Sequence, residues 1–161
     1  MTAATASLLT TIALCAAPAA ADARHAPFTG RWISAEGGLV IDLQPCEDAL
    51  CGAIVWLQKP FRKTGEPRLD SQNPDPALRD RPWCGITVIE GLLADGDGRM
   101  AGGRLYDPKS GSTFSVEATL SGPSLRLRAY LGLRALGRTE VFTRSTDAEK
   151  TNCSLVSTRP R

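Results

Sequence analysis

From Gly30 onward the chain repeats one pattern: short runs of apolar or alternating residues, cut by turn residues. They fall at Gly30–Ser34, Leu39–Gln44, Leu50–Leu57, Gly85–Leu93, Arg99–Tyr106, Thr113–Leu120, Ser124–Leu131 and Arg138–Arg144. Runs of this length bounded by Gly, Pro, Asn and Asp read as strands, and no window sustains a helical period. In SLRLRAYL, Leu125, Leu127, Ala129 and Leu131 share one side, while Arg126, Arg128 and Tyr130 share the other. In TFSVEATL, Phe114, Val116, Ala118 and Leu120 oppose Thr113, Ser115, Glu117 and Thr119. One dry and one wet face per strand is the mark of an antiparallel sheet over a core. About eight such strands in series, joined mostly by tight turns, predict an all-β fold: a single up-and-down antiparallel β-barrel without exposed edges. A two-sheet sandwich is the alternative. A barrel of this size is either filled by its own side chains or holds one small ligand.

Two runs need comment. Asp95-Gly96-Asp97-Gly98 is a hairpin turn. It is no calcium loop, since Tyr106 stands where the bidentate Glu should be. Leu50–Leu57 is apolar on both faces: Ile54 and Trp56 are expected on one, Val55 and Leu57 on the other. Something must cover its outer face.

The amino end carries an apolar stretch around Leu8–Cys15, then Pro18 and small residues, with no charged side chain before Asp22. It reads as a secretory signal over residues 1–21, with cleavage after Ala21 or Ala23. The apolar stretch is short of the ~20 residues a membrane span needs. The barrel domain is then residues 28–144 and the tail 145–161. Export to the periplasm or the medium makes the remaining cysteines candidates for disulfides rather than a zinc site. Cys46 and Cys51 flank a short turn and pair easily; Cys84 and Cys153 would then tie the tail down. A net charge of +2 and no basic patch interleaved with aromatics exclude a nucleic-acid partner.

Between the third and fourth strands lies a long connection containing DSQNPDPALRDRPW, residues 70–83. Structureless connections of this length are uncommon in compact domains. This one carries Phe61, Leu69, Leu78 and Trp83 to dock it, and Pro74, Pro76 and Pro82 to stiffen it. It is expected as an ordered flap over the mouth or side of the barrel. Asp70, Asn73 and Asp75 offer oxygens, but such loops more often cap their own backbone, so no metal is assigned. Arg79 and Arg81, two apart, make a fork for a carboxylate or phosphate. Alternatively they pair with Asp70, Asp75 or Asp80 and stitch the loop down.

Among the aromatics, Trp32 is expected in the core at one barrel end, stacked on Arg144. Trp56 and Tyr106 either line a cavity or fill it, and the Tyr106 hydroxyl is expected to bond backbone. Catalysis has little to stand on. The one histidine, His25, sits in what reads as a ragged mature terminus, and no nucleophile setting such as G-x-S-x-G occurs. No catalytic residue, cofactor or metal site is assigned.

LCGAIVWL, DSQNPDPALRDRPWCG, GGRLYDPKSGSTFS and LRLRAYLGLRALGRTEVFTR, in that order, resemble the exported bacterial proteins of domain-of-unknown-function family 2147. The likeness runs from about Gly30 to Arg144. It implies a lipocalin-like barrel with no established reaction. The expectation is therefore a monomeric, non-catalytic binding protein. It holds a small hydrophobic or amphipathic molecule near Trp56, Asn73, Arg79, Arg81 and Tyr106, with Trp32, Arg144 and Asp70 structural. The alternative is an envelope protein-interaction module with a filled barrel.

Overall fold

The computed structural model describes residues 20–146 and Cys153. Most of the expected signal segment and most of the tail fall outside the described residues. Among the described residues, eight strands follow a short helix, α1 (Ala20–His25). They are β1 (Gly30–Ser34), β2 (Leu39–Cys46), β3 (Ala49–Leu57), β4 (Thr87–Ala94), β5 (Arg99–Asp107), β6 (Ser112–Ser121), β7 (Ser124–Tyr130) and β8 (Arg138–Arg144). Each pairs antiparallel with the next, and β8 returns to β1 through Trp32↔Arg144 and Ser34↔Phe142, closing the barrel. No strand is left with an open edge, which disposes of the sandwich.

The alternation read from the sequence carries into the core. Leu125, Leu127, Val116, Ala118, Leu92, Met100 and Leu43 are all buried in one cluster. Packing is tight enough that glycine is demanded inside. A Cβ on Gly103 would sit 2.8 Å from the side chain of Leu92.

Three details depart from the sequence reading. In β3 the register shifts: Ile54 pairs with Ile41, but Trp56 pairs with Val40 and Leu57 with Leu39. Val55 is thus an extra residue, a bulge that moves every later side chain to the other face. Ile54 and Leu57 therefore join the core, while Trp56 is half-buried beside Val40. Glu117, expected on the wet face, is buried because Arg134 folds over it and pairs at 2.6 Å. His25 is not ragged. It ends α1, is only 3% exposed, and its carbonyl accepts from the amides of Phe28 and Thr29.

Both disulfides are formed, Cys46–Cys51 across the β2–β3 turn and Cys84–Cys153 from the flap's end to the tail. Such links are favoured where proteins are exported. No helix among the described residues is long and apolar enough to cross a membrane.

Candidate functional site

The antiparallel order gives the barrel two unlike ends. At one end lie the β2–β3, β4–β5 and β6–β7 turns together with the segment entering β1. There Trp32 is buried, its indole N–H donating to the Phe28 carbonyl at 2.7 Å. The Arg144 guanidinium stacks 4.0 Å from the Trp32 ring centre and donates to the carbonyls of Thr29 and Pro27, each at 2.5 Å. A planar cation over an indole face, with its fork on two carbonyls, plugs this end.

The other end carries the β1–β2 turn, the flap, the β5–β6 turn and the loop 131–137. It is hollow. A cavity of about 640 Å³ opens there, walled by Leu39, Ile54, Ile89, Leu105, Leu127 and Phe142 among others. That volume lies within the range of small-molecule sites. Polar groups stand at its rim: Tyr106, Tyr130, Arg138 and Glu140. Arg138, Glu140 and Phe142 face inward because they sit opposite Ala129, Leu127 and Leu125, the dry face of β7. The ion pairs among the described residues are Arg81–Asp70, Arg99–Asp95 and Arg134–Glu117. Arg138 and Glu140 belong to none, so a cation and a carboxylate stand unpaired beside an apolar hollow.

The flap is built around one buried carboxylate. Asp70 is fully buried and accepts from the Tyr106 hydroxyl at 2.5 Å, Asn73 Nδ2 at 2.7 Å and Arg81 Nε at 2.9 Å. Asn73 Nδ2 also reaches the Tyr106 oxygen at 3.0 Å, and Asn73 Oδ1 accepts the Asp75 amide at 2.9 Å. Arg79 Nε donates to the Asn73 carbonyl at 2.8 Å. Asp75 caps a 3-10 turn, Pro76–Leu78, which is the one helical element of the flap. A buried charge is tolerable only when donors surround it, as here. The phenol of Tyr106 is pushed up to about 12, first by burial and then by its bond to the Asp70 carboxylate.

Tyr106 therefore bonds a carboxylate rather than backbone, and that bond fastens the flap to β5. A second fastening is steric. Gly111, in the β5–β6 turn at φ +71°, lies so close that a Cβ would meet the Gln72 carbonyl oxygen at 2.0 Å. Beneath the flap's edge runs a more polar hollow of about 660 Å³, bordered by Arg81, Glu90, Arg104 and Tyr106.

The structure thus gathers Asn73, Arg79, Arg81 and Tyr106, but around Asp70 and the flap backbone. Of the four, Tyr106 also borders the 640 Å³ cavity. Trp56 is not among the cavity's walls, where Ile54 stands instead. Arg138 and Glu140 were not singled out from the sequence. The alternation of RTEVFTR, with Phe142 as its buried member, was the signal that places them inward. No cluster of metal-binding side chains occurs among the described residues.

A solved structure, protein HP1028 from the human pathogen Helicobacter pylori, described as belonging to the lipocalin family, has the same fold. The two share 19% identity at a TM-score of 0.65, over 78% of this chain and 88% of that one. No curated protein matches the sequence. A family model described as "Uncharacterized protein conserved in bacteria (DUF2147)" matches residues 30–144, which is most of the chain and the whole barrel. The chain belongs to that bacterial family.

Proposed function

We propose that this protein is an exported, monomeric, non-catalytic carrier that holds one small amphipathic molecule in the open end of its barrel. The observation that carries the reading is the 640 Å³ cavity, apolar on its walls and charged at its rim. An apolar tail buried against Leu105, Leu127 and Phe142 supplies affinity in proportion to the area removed from water. Arg138 and Glu140 orient the polar end, an acidic head against the guanidinium or a hydroxyl or amine against the carboxylate. Tyr106 closes the flap side, with Asn73, Arg79 and Arg81 holding the flap behind it. The rival reading, an interaction module with a filled barrel, fits the plugged end but leaves this hollow without a purpose.

The test has two arms. Protein purified from its native host, extracted and examined by mass spectrometry is expected to yield a stoichiometric small amphiphile. Ala129→Trp, which fills the cavity from its β7 wall, is expected to lower binding of the apolar probe N-phenyl-1-naphthylamine at least about tenfold. Its melting temperature should change by only a few degrees. An empty extract together with unaltered probe binding would return the barrel to the interaction reading.

A further inference from the structure

The geometry points to a second role for the open end: the loop 131–137 is a docking element that seats the barrel mouth on an anionic lipid surface. This goes beyond carriage and is testable without it. Leu131, expected on the dry face but lying just past the end of β7, is 65% exposed, and Leu133 and Leu136 are 68% and 80% exposed within the same short loop. The other exposed large apolar residues among those described, Leu78 and Leu93, stand singly on other segments. Single exposed leucines are ordinary, whereas a cluster of them marks a surface that meets something.

The leucines are not exposed through slackness, because polar contacts hold the loop from beneath. The Arg128 guanidinium donates to the carbonyls of Arg134 at 2.8 Å and Ala135 at 3.2 Å, and to the Thr139 hydroxyl at 3.0 Å. Arg134 is anchored on buried Glu117. Leu136 and Gly137 amides close a 3-10 turn on the Leu133 and Arg134 carbonyls. Gly137 is pressed so near β7 that a Cβ would meet the Ala129 carbonyl oxygen at 2.8 Å. A braced turn that points three leucines outward has its ordering cost met before association.

Charge says what covers it. The β2–β3 and β4–β5 turns at the plugged end carry Glu47, Asp48, Asp95 and Asp97. The connections at the open end carry Lys59, Arg62, Lys63, Arg79 and Lys109, and β8 begins there with Arg138, all exposed and none in an ion pair among the described residues. They outnumber the exposed acids of the same connections, which are Glu36, Glu66, Asp75 and Asp80. The molecule is polarised along its axis, with the leucine knob on the positive end. Anionic headgroups over acyl chains satisfy both features together. Leu131 and Leu136 also form the lip of the cavity. Docking by this loop sets the cavity against the headgroup boundary, where an amphiphile can exchange without crossing water.

The experiment is flotation of the full chain with vesicles of phosphatidylcholine alone, or with about 30% phosphatidylglycerol. Preference for the anionic vesicles of at least about tenfold is expected. Leu133→Ser should reduce that binding by about tenfold. Because Leu133 is not part of the cavity wall, the same variant should leave the melting temperature and naphthylamine binding unchanged. Leu133→Trp should show blue-shifted emission when anionic vesicles are added. Equal affinity for both vesicles, or binding untouched by Leu133→Ser, overturns the inference. So does a dimer in solution, or capture of a protein partner without vesicle binding, that Leu133→Ser abolishes. Flotation without probe binding would retain docking and sink the carrier; probe binding without flotation would do the reverse.

Discussion

The two ends of this barrel are made by the same hydrogen-bonded wall and differ in what fills it. At the plugged end the inward positions hold Trp32, Leu43, Leu50, Leu92, Met100 and Leu125, each at most 1% exposed. At the open end Leu39, Leu105, Phe114 and Ala129 are only partly covered, and Arg138 and Glu140 are exposed. The difference teaches that barrel closure does not settle barrel content. Backbone pairing closes the wall around the whole circumference, whereas side-chain volume decides which half is core and which is container.

The two ends are also fastened differently, and variants at the fastenings should separate them. The largest effect is expected from Asp70→Ala. It strips the acceptor from Tyr106, Asn73 and Arg81 at once, and breaking a buried ion pair costs about 3–5 kcal/mol. For a domain of this size that is on the order of 10 °C in Tm, read by circular dichroism. The open end should suffer first, so naphthylamine binding weakens below the melting transition. If binding persists while Tm falls, the flap is no part of the container.

Arg144→Met tests the plug and is expected to cost less, about 1–2 kcal/mol for the lost stacking and its solvent-exposed carbonyl bonds. Here Tm should drop by several degrees with probe binding intact. A matching loss of probe binding would show that the ends are coupled through the core, and the comparison would fail.

How much of this was legible depended on how far along the chain each cause reaches. Strand positions were readable because alternation and turn residues are local, and β1 and β8 fell on their expected residues. The bulge at Val55 was not, since it depends on how β3 meets β2. Asp70 and Tyr106 lie 36 residues apart, so the sequence shows two polar residues but not that one bonds the other. In the run PKSGS, Gly111 reads as an ordinary turn glycine. Its second requirement, room for the Gln72 carbonyl, exists only once the flap is down. Glu117 was misplaced because a loop's arginine overrode its strand's face. Arg138 and Glu140 are the opposite case, since RTEVFTR already placed them with Phe142 on one face. Weighing charged residues only as surface hid them.

The smallest expected effect probes the contact between flap and container through pH. Tyr106 holds its proton to about 12 in the folded chain, against 10.0 for an ordinary phenol, because burial and the Asp70 carboxylate both oppose its ionisation. Between those values the folded chain keeps a proton that the unfolded chain releases. Stability from this group is therefore complete below pH 10 and declines as pH rises through the folded value. Tyr106→Phe cannot ionise and loses one hydrogen bond, while Asp70 retains Asn73 and Arg81 as donors. The variant should be less stable by about 1 kcal/mol at pH 9 in urea titrations. That gap should narrow as pH is raised from 10 toward 12, since the wild type alone forfeits a proton-linked contribution there. A gap that stays constant would mean Tyr106 ionises freely in the folded protein. The flap would then not be sealed against β5, and the open end would owe its shape to the strands alone.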